Sequence, residues 1–343
     1  MLFIDGSFGE GGGQIVRSAL ALALVTGRPC TIENIRAGRK KPGLMRQHLT
    51  AVAAAAEISG AELAGAALGS TRLVFRPGPL RPGNYSFDVG TAGSTTLVLQ
   101  TILPALLVAR GQSRLTLAGG THNPFAPPFD FLVRAYLPLV NRLGPSVEAI
   151  LDRPGFYPAG GGQLKVAIRP AERLGRLELT ERGPIIARRV RALVANLPRH
   201  IAERECRTVA ELSGWDGACF AVEEIKGSRG PGNVLLVELE SADVTEVFTA
   251  FGQIGVQAEQ VAAQAWQAAQ RWLAAGVPVG QCLADQLLLP LGISAERGGG
   301  NSVYRTLALS PHATTQIEVL RQFMDLPIEV DERGPDNCLV HVG

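Results

Sequence analysis

The chain has 343 residues, of which 46% are hydrophobic and 19% charged, and its net charge at pH 7 is +2. This length is too great for one small core and predicts two or three domains. The charge balance excludes a protein that attracts nucleic acid along its whole surface, so a nucleic-acid partner would need a local basic site.

The cysteines predict a cytoplasmic protein with reduced thiols. Their number is odd, and no pair has the spacing of metal ligands. They are Cys30, Cys206, Cys219, Cys282 and Cys338. The opening Met1–Gly6 lacks a basic region followed by an apolar one, so no signal peptide is expected. The most apolar stretch, residues 96–109, is interrupted by Gln100 and Pro104 and is too short to span a bilayer, so no membrane partner is expected.

Three stretches share one order of elements: a glycine-rich or polar lead, an apolar helix, a strand, a proline-marked loop, a second helix and closing strands. The first helices of the three stretches are predicted at Ser18–Leu22, Leu97–Val108 and Leu283–Leu289. The strands that follow them are predicted at Cys30–Ile32, Arg114–Leu117 and Val303–Leu307. The second helices are predicted at Leu44–Ile58, at Phe131–Leu143 and after Pro311. The closing strands are predicted at Arg72–Phe75, Gln163–Ile168 and Leu339–Val342. Repeats of roughly 80 residues predict packed α+β units with sheets inside and helices outside.

The third repeat is predicted to be interrupted. Its first strand is expected within Leu174–Leu179, yet its first helix follows only after Gly280. The intervening strands and helices are predicted at Ala187–Leu193, Ile201–Leu212, Cys219–Glu224, Val234–Glu240 and Ala258–Ala275. The expected fold class is therefore α/β of the α+β type. A large domain (1–182 and 277–343), with repeats at about 1–80, 83–170 and 172–182 plus 277–343, would carry a smaller α/β domain at 183–276, about 90 residues long.

His312 is the strongest candidate for a catalytic residue. A helix is predicted to begin beside it, either at Ser310 with Pro311 at the first helical position, or at Thr315 with Glu318 closing a capping box. In both cases the imidazole lies near the positive end of the helix dipole, which disfavours the protonated ring and attracts phosphate. For a lone histidine, a plain polar residue at a helix entrance is the preferred interpretation, and the rest of the chain has to change it.

Two other segments carry groups suited to phosphate. Glu10 lies in the glycine-rich loop Gly6–Gln14, whose free amides can hold phosphate oxygens while the carboxylate holds a divalent ion, although no P-loop sequence is present. A flexible turn is the alternative. Five basic residues within eleven positions fit a phosphorylated polynucleotide end or, equally, a solvated surface. They are Arg36, Arg39, Lys40, Lys41 and Arg46.

Two loops complete the candidate segments. Thr121–Phe129 offers aromatic and prolyl surfaces that would suit a nucleobase, although a structural loop is the default interpretation. Tyr157–Gly162 is expected to be a turn before a strand. No Ser/His/Asp triad, zinc pattern or Rossmann fingerprint is present.

Taken together, these segments closely resemble the RNA 3′-terminal phosphate cyclase family, and the resemblance covers nearly the whole chain. Each motif alone is weak, but the set in this order is very specific. The matching stretches are Gly9–Ser18, Ile35–Arg39, Lys41–Leu49, Gly155–Gly162, Leu283–Gln286 and the segment around His312.

The resemblance implies three βαβαββ units, with the smaller α/β domain inserted in the third. It also implies an ATP-dependent ligase that converts an RNA 3′-terminal phosphate into a 2′,3′-cyclic phosphate. His312 would attack the α-phosphate of ATP and form a histidyl-AMP. AMP would then pass to the RNA 3′-phosphate, giving RNA-(3′)pp(5′)A, and attack by the 2′-hydroxyl would release AMP.

The resemblance also implies roles for individual residues. Glu10 would hold Mg²⁺ or Mn²⁺ on the ATP phosphates. The positions that match ATP contacts of the family are Gln100, Cys282, Leu283, Ala284, Asp285 and Gln286. Those that match its phosphate and RNA-end contacts are Arg17, Arg36, Arg39 and Gln47.

Three positions depart from the family's usual sequence. Cys282 stands where the family often has tyrosine, so an aromatic face against adenine is missing there. Pro154 stands where a basic residue or histidine is frequent, and Gln316 replaces an asparagine. None of the three removes a group that the chemistry needs.

Two other functions compete with this interpretation. A non-catalytic relative that scaffolds ribosomal RNA processing would lack the nucleophilic histidine, whereas His312 and Glu10 are both present. A carboxyvinyl or shikimate-phosphate transferase of related repeated architecture would leave the segment Leu283–Gln286 unexplained. The sequence leaves open the physiological RNA, the metal, the oligomeric state and the role of the inserted domain.

Overall fold

The computed structural model describes residues 1–343. Its N-terminal elements are β1 (Leu2–Asp5), α1 (Gly13–Thr26), β2 (Cys30–Glu33), α2 (Arg46–Ser59), β3 (Glu62–Ala64) and β4 (Leu73–Arg76). The strands form a sheet of order β1-β2-β4-β3, in which only β1 and β2 are parallel. Both helices end at a left-handed glycine, Gly27 and Gly60, as helices followed by a sharp turn commonly do.

The next elements form a second sheet. They are β5 (Asn84–Asp88), α3 (Thr95–Leu106), β6 (Ser113–Gly119), α4 (Phe129–Phe131), a π-turn (Leu132–Tyr136), α5 (Leu137–Arg142), β7 (Ser146–Arg153) and β8 (Gly162–Arg169). The order β5-β6-β8-β7 repeats that of the first sheet, again with only the first pair parallel. The π-turn precedes Pro138, which has no N–H with which to continue a regular helical ladder.

The third sheet begins with the short strand β9 (Glu178–Leu179), after which the chain builds a fourth sheet. The intervening elements are β10 (Ile185–Ala195), α6 (His200–Ser213), a 3₁₀ turn (Gly217–Cys219), β11 (Phe220–Glu224), β12 (Gly232–Ser241), β13 (Thr245–Phe251) and α7 (Ala258–Ala275). Their strand order is β11-β10-β12-β13.

The chain then returns to the third sheet. The remaining elements are α8 (Gln281–Glu296), β14 (Ser302–Thr306), α9 (Pro311–Phe323), β15 (Ile328–Gly334) and β16 (Asn337–Val342). The order β9-β14-β16-β15 matches that of the first two sheets, and β9 and β14 are parallel. Helix α1 packs against α2, α3 and α9, and α8 packs against α3 and α9, so helices from all three repeats of this strand order pack against one another.

The sheet of the intervening segment is buried on both faces. Val190, Ala192 and Val194 of β10 pack in a hydrophobic cluster with α6 and α7. Leu193 and Ala195 of the same strand belong instead to the large cluster that the other three sheets build. Because alternate strand residues point to opposite faces, one face is covered by its own helices and the other by the rest of the molecule.

The α/β class is confirmed, and several elements differ from the sequence-based expectations. In the predicted strand Leu174–Leu179 only Glu178–Leu179 is a strand, and the predicted helix Leu44–Ile58 begins at Arg46. Strand β13 was not predicted, and neither were β1 and β5, which are short and precede the glycine-rich leads. The division into a large domain and an inserted domain at 183–276 stays a prediction.

None of the helices combines the length and the apolar character that crossing a membrane requires.

Candidate active site

His312 is the second residue of helix α9. The Ser310 hydroxyl accepts a hydrogen bond from the Ala313 N–H at 3.0 Å, and Pro311 occupies the first helical position. The helix start at Ser310 is therefore confirmed. The alternative start at Thr315 is wrong, because the Thr315 hydroxyl lies inside the first turn and donates to the Pro311 carbonyl at 2.6 Å.

A glutamine fixes the tautomer of the imidazole. The Gln14 Nε2 amide donates to the His312 carbonyl at 3.0 Å and to Gln316 Oε1 at 2.8 Å. Since a backbone carbonyl only accepts, the other end of the Gln14 amide is oxygen, and this Oε1 lies 2.6 Å from His312 Nδ1. Nδ1 therefore carries the proton, and Nε2 keeps its free lone pair.

The surroundings of His312 favour the neutral ring. Partial burial lowers its pKa below the ordinary value of 6.5, and the nearby cations Arg17 and Arg39 lower it further. This direction is the one expected for an imidazole in the first turn of a helix, and burial and the two arginines add to it. A neutral imidazole is the nucleophilic form.

Glu10 lies between His312 and Arg39. Its Oε2 is 3.8 Å from His312 Nδ1, and its carboxylate forms an ion pair with Arg39. The backbone N–H of Glu10 donates to the Thr315 hydroxyl at 3.1 Å. The preceding Gly9 has φ +55, and a Cβ there would lie 2.2 Å from Thr315 Oγ1, so glycine is needed for the loop to rest on α9.

Glu10 offers a divalent ion a single carboxylate. No group of three or more His, Cys, Asp or Glu side chains is placed to hold a metal. Mg²⁺ is commonly bound by one or two carboxylates plus phosphate oxygens and water. Glu10 supplies one such hard oxygen donor, so the donor set fits an ion that arrives with nucleotide phosphates.

Hydrogen bonds between three polar side chains link the second turns of α1, α3 and α8. Arg17 Nε donates to Gln100 Oε1 at 3.1 Å, and Gln100 Nε2 donates to Gln286 Oε1 at 2.7 Å. Burial lowers the pKa of Arg17 to about 10, so the guanidinium remains a cation at neutral pH. The two amides open into a narrow cavity whose other walls are largely apolar. These walls include Pro127, Phe131, Leu132 and Tyr136.

Helix α8 holds the remaining candidates in different environments. Asp285 accepts a hydrogen bond from the Ser310 hydroxyl at 2.7 Å, and burial raises the pKa of this carboxyl to about 7. Leu283 and Ala284 are buried in the core, so their side chains do not face the cavity and support the helix instead. Cys282 is exposed, and packing around its sulfur, together with the Asp285 and Glu246 carboxyls, raises the pKa of the thiol and so disfavours the thiolate.

The predicted RNA-end residues are only partly free. Gln47 Oε1 accepts from the Ser94 N–H at 2.7 Å, at the N-cap of α3. Arg36 Nη1 donates to the carbonyls of Lys41 and Gly43 at 2.7 and 2.9 Å, so part of this guanidinium orders its own loop. Burial, together with Arg17 and Arg36, lowers the pKa of His48 to about 3, so that this ring is neutral.

The structure brings His312, Glu10, Arg17 and Arg39 together, with the residues of α3 and α8 adjoining them. Neither the part of Gln14 in orienting His312 nor the contact between Ser310 and Asp285 was predicted from the sequence. The Gln14 contact with His312 joins residues 298 positions apart, so no local pattern announces it. Gln316, noted only as a departure, is buried and orients Gln14.

The fold is of the α/β class, and the site places the Nδ1-protonated ring of His312 beside Glu10, Arg17 and Arg39. The sequence profile of the RNA 3′-terminal phosphate cyclase family matches residues 8–330. The chain belongs to this family of enzymes.

Relatives named RNA 3′-terminal phosphate cyclase match over nearly full length. The protein from Koribacter versatilis is 50% identical over 98% of this chain and 93% of its own length. The one from Ectopseudomonas mendocina is 50% identical over 95% and 93%. Among solved structures, the enolpyruvyl transferase NikO from Streptomyces tendae has a TM-score of 0.41 and 14% identity over 99% of this chain and 48% of that one, too weak a likeness to carry an argument.

Proposed function

We propose that this enzyme uses ATP to convert an RNA 3′-terminal phosphate into a 2′,3′-cyclic phosphate through a histidyl-AMP. The observation that carries the proposal is the hydrogen bond between Gln14 and His312 Nδ1, which leaves Nε2 unprotonated beside two arginines. Membership of the family supports RNA and ATP as the substrates. A cytoplasmic location belongs to the same proposal and rests on the cysteine composition alone.

In the first step, His312 Nε2 attacks the α-phosphorus of ATP. The new N–P bond forms as the bond from this phosphorus to the bridging oxygen breaks, and pyrophosphate leaves. Arg17 and Arg39 lie where they offset the negative charge that builds on the phosphate oxygens. Glu10 would hold Mg²⁺ or Mn²⁺ together with the ATP phosphates, and the bound ion would neutralise part of their charge.

In the second step, an oxygen of the RNA 3′-phosphate attacks the same phosphorus and releases His312. The product is RNA-(3′)pp(5′)A, in which AMP is a good leaving group. The neighbouring 2′-hydroxyl then attacks the RNA phosphorus, closes the ring and expels AMP. His312 Nε2 is free again at this stage and acts as the general base that accepts the proton of the 2′-hydroxyl.

The remaining residues are assigned to the two substrates. For ATP these are Gln100, Cys282, Asp285 and Gln286, with Leu283 and Ala284 acting through the position of α8. Cys282 offers no ring for the adenine to stack on. For the phosphate and RNA end they are Arg17, Arg36, Arg39 and Gln47.

The proposal is tested by incubating the protein with ATP labelled at the α-phosphate and Mg²⁺ or Mn²⁺. We expect acid-labile, alkali-stable label on the wild type, none on His312→Ala, and chase of the label into RNA bearing a 3′-phosphate. His200→Ala is the matched control, because His200 is also an exposed histidine at a helix start. Folded wild-type protein that takes up no label with either metal would sink the mechanism.

A further inference from the structure

The loop Gly155–Gly162 connects the proposed RNA-end site to the segment that follows β9. On one side, Gly160 packs so closely that a Cβ there would lie 2.8 Å from the Ala92 Cα. Ala92 is two residues before Ser94, whose N–H donates to Gln47. The loop therefore packs against the segment before the N-cap of α3, which Gln47 also contacts.

On its other side the loop holds two arginines. Gly161 has φ +72, and a Cβ there would lie 2.2 Å from the Arg229 Cδ, so the bare backbone supports the aliphatic stem of this arginine. Arg153 Nε donates to the Gly161 carbonyl at 2.6 Å. Neither guanidinium has a carboxylate partner, since the adjacent Asp152 pairs with Lys165 at 2.6 Å. Two ordered cations thus converge on one glycine with no protein anion to neutralise them.

Two exposed aromatic rings accompany these cations. Tyr157, in the same loop, is 65% exposed, and Phe125 is 100% exposed. The Phe125 loop adjoins the Tyr157 loop, because His122 forms a β-bridge with Phe156 and the two rings stack 5.1 Å apart. Phe125 has φ +66, a backbone conformation that a bulky residue rarely adopts.

Resting on the proposed function, we propose that this surface binds the single-stranded RNA upstream of the 3′ end. We call it the strand platform and define it as Phe125, Arg153, Tyr157 and Arg229. Bases stack on the two rings while the two arginines contact phosphates. Exposed rings together with unpaired cations suit unpaired nucleotides, whereas in a duplex the bases already stack on one another.

The assignment also gives the segment after β9 a part in substrate binding. Arg229 lies between β11 and β12 of that segment, whereas Arg153 ends β7 and the two rings lie in loops that connect elements of the second sheet. An RNA strand that crosses the platform would therefore contact both parts of the molecule. The proposed reaction itself uses none of the four residues.

The test compares dissociation constants for two single-stranded RNAs with 3′-phosphates, a dinucleotide and a decanucleotide. We expect Tyr157→Leu and Arg229→Gln each to weaken decanucleotide binding roughly tenfold and to leave the dinucleotide unchanged. Arg229→Gln should also reduce the slope of log affinity against log salt by about 0.7, the value for one phosphate contact on a single strand. Tyr157→Phe retains the ring and should bind like the wild type.

Matched controls are Arg110→Gln and Phe3→Leu. Arg110 is an exposed arginine that follows the C-terminal end of α3 and has no carboxylate partner. Phe3 is an exposed aromatic residue on β1. Unchanged decanucleotide binding by both platform variants would overturn the platform, and so would an equal loss for both RNAs. Labelling with ATP alone, run in parallel, separates the two proposals. If the wild type is labelled but the platform variants bind the decanucleotide normally, only the platform is rejected. If the wild type is not labelled, the cyclase mechanism is rejected.

Discussion

The contact between Gln14 and His312 determines which imidazole nitrogen has a free lone pair. Without an acceptor at Nδ1 the neutral ring would populate both tautomers, and Nε2 would carry the proton part of the time. Gln14 is itself oriented by the His312 carbonyl and by Gln316. The nucleophile is thus set by an amide that touches no substrate atom in the proposed reaction.

Gln14→Ala should therefore lower the rate of self-adenylylation by about tenfold to a hundredfold, the range seen when a residue that orients a functional histidine is removed. The readout is the rate of label uptake from ATP in single-turnover experiments. Thr314→Ala, a substitution at an exposed position of the same helix turn, serves as the control. A Gln14→Ala rate equal to that of the wild type would show that the hydrogen bond does not select the tautomer.

The lowered pKa of His312 predicts the acid limb of the reaction. A histidine whose pKa is below 6.5 keeps its neutral, nucleophilic form as the pH falls through that value. Label uptake should therefore reach half its maximum at a pH below 6.5. Arg39→Ala removes one of the cations that lower this pKa, so the midpoint should move toward higher pH. A wild-type midpoint at or above 6.5 would contradict the assignment.

At the scale of elements, helix α8 is capped by a residue from outside the third sheet. Gly280 is its N-cap and has no side chain to satisfy the first amides. The Glu246 carboxyl of β13 accepts the Gly280 N–H, and burial raises the pKa of this carboxyl to about 8. The segment between β9 and α8 thereby holds the helix that carries Asp285 and Gln286.

Glu246→Ala should lower the free energy of unfolding by about 1–3 kcal/mol, because it leaves the Gly280 N–H buried without an acceptor. Glu246→Gln retains an acceptor and should be close to the wild type near pH 7. The sign of the pH effect follows from the raised pKa. Between about 4.5 and 8 the folded protein keeps a proton that the unfolded chain has lost, so wild-type stability falls as the pH rises.

Urea unfolding at several pH values measures both effects. The amide that Glu246→Gln introduces does not titrate, so that variant should lose the part of the slope that the Glu246 carboxyl contributes. Equal slopes for the two proteins would show that the carboxyl is ionised in the folded state across this range.

Periodicity and turn residues were sufficient for elements with a strong local signal. The helix Ala258–Ala275 was predicted with its observed bounds, and Ser310–Pro311 correctly placed the start of α9. Strand β9 was overestimated, because only two of its residues find a partner, in β14, more than a hundred positions away. Local motifs likewise pointed to His312 and Glu10. The contacts that Gln14 and Ser310 make were not predicted, because they arise from tertiary packing.

At the scale of the whole molecule, the sheet formed by β10–β13 shares a hydrophobic core with the other three sheets. Leu193 and Ala195 on one face of β10 belong to the same hydrophobic cluster as the cores of the other three sheets. An interface of this kind resembles a core rather than the polar contact of two mobile domains. The platform and the Glu246 cap both depend on this fixed arrangement.

The pairing of β9 with β14 has a consequence for the order in which the protein matures on the ribosome. The first two sheets use strands close in sequence, and domains generally fold from the N-terminus as they are synthesised. The third sheet must wait until the last strands have emerged, and His312 meets Gln14 only then. Until α9 has docked on α1, the imidazole of His312 therefore has no Gln14 amide to fix its tautomer, so the proposed reaction would depend on the third sheet being formed.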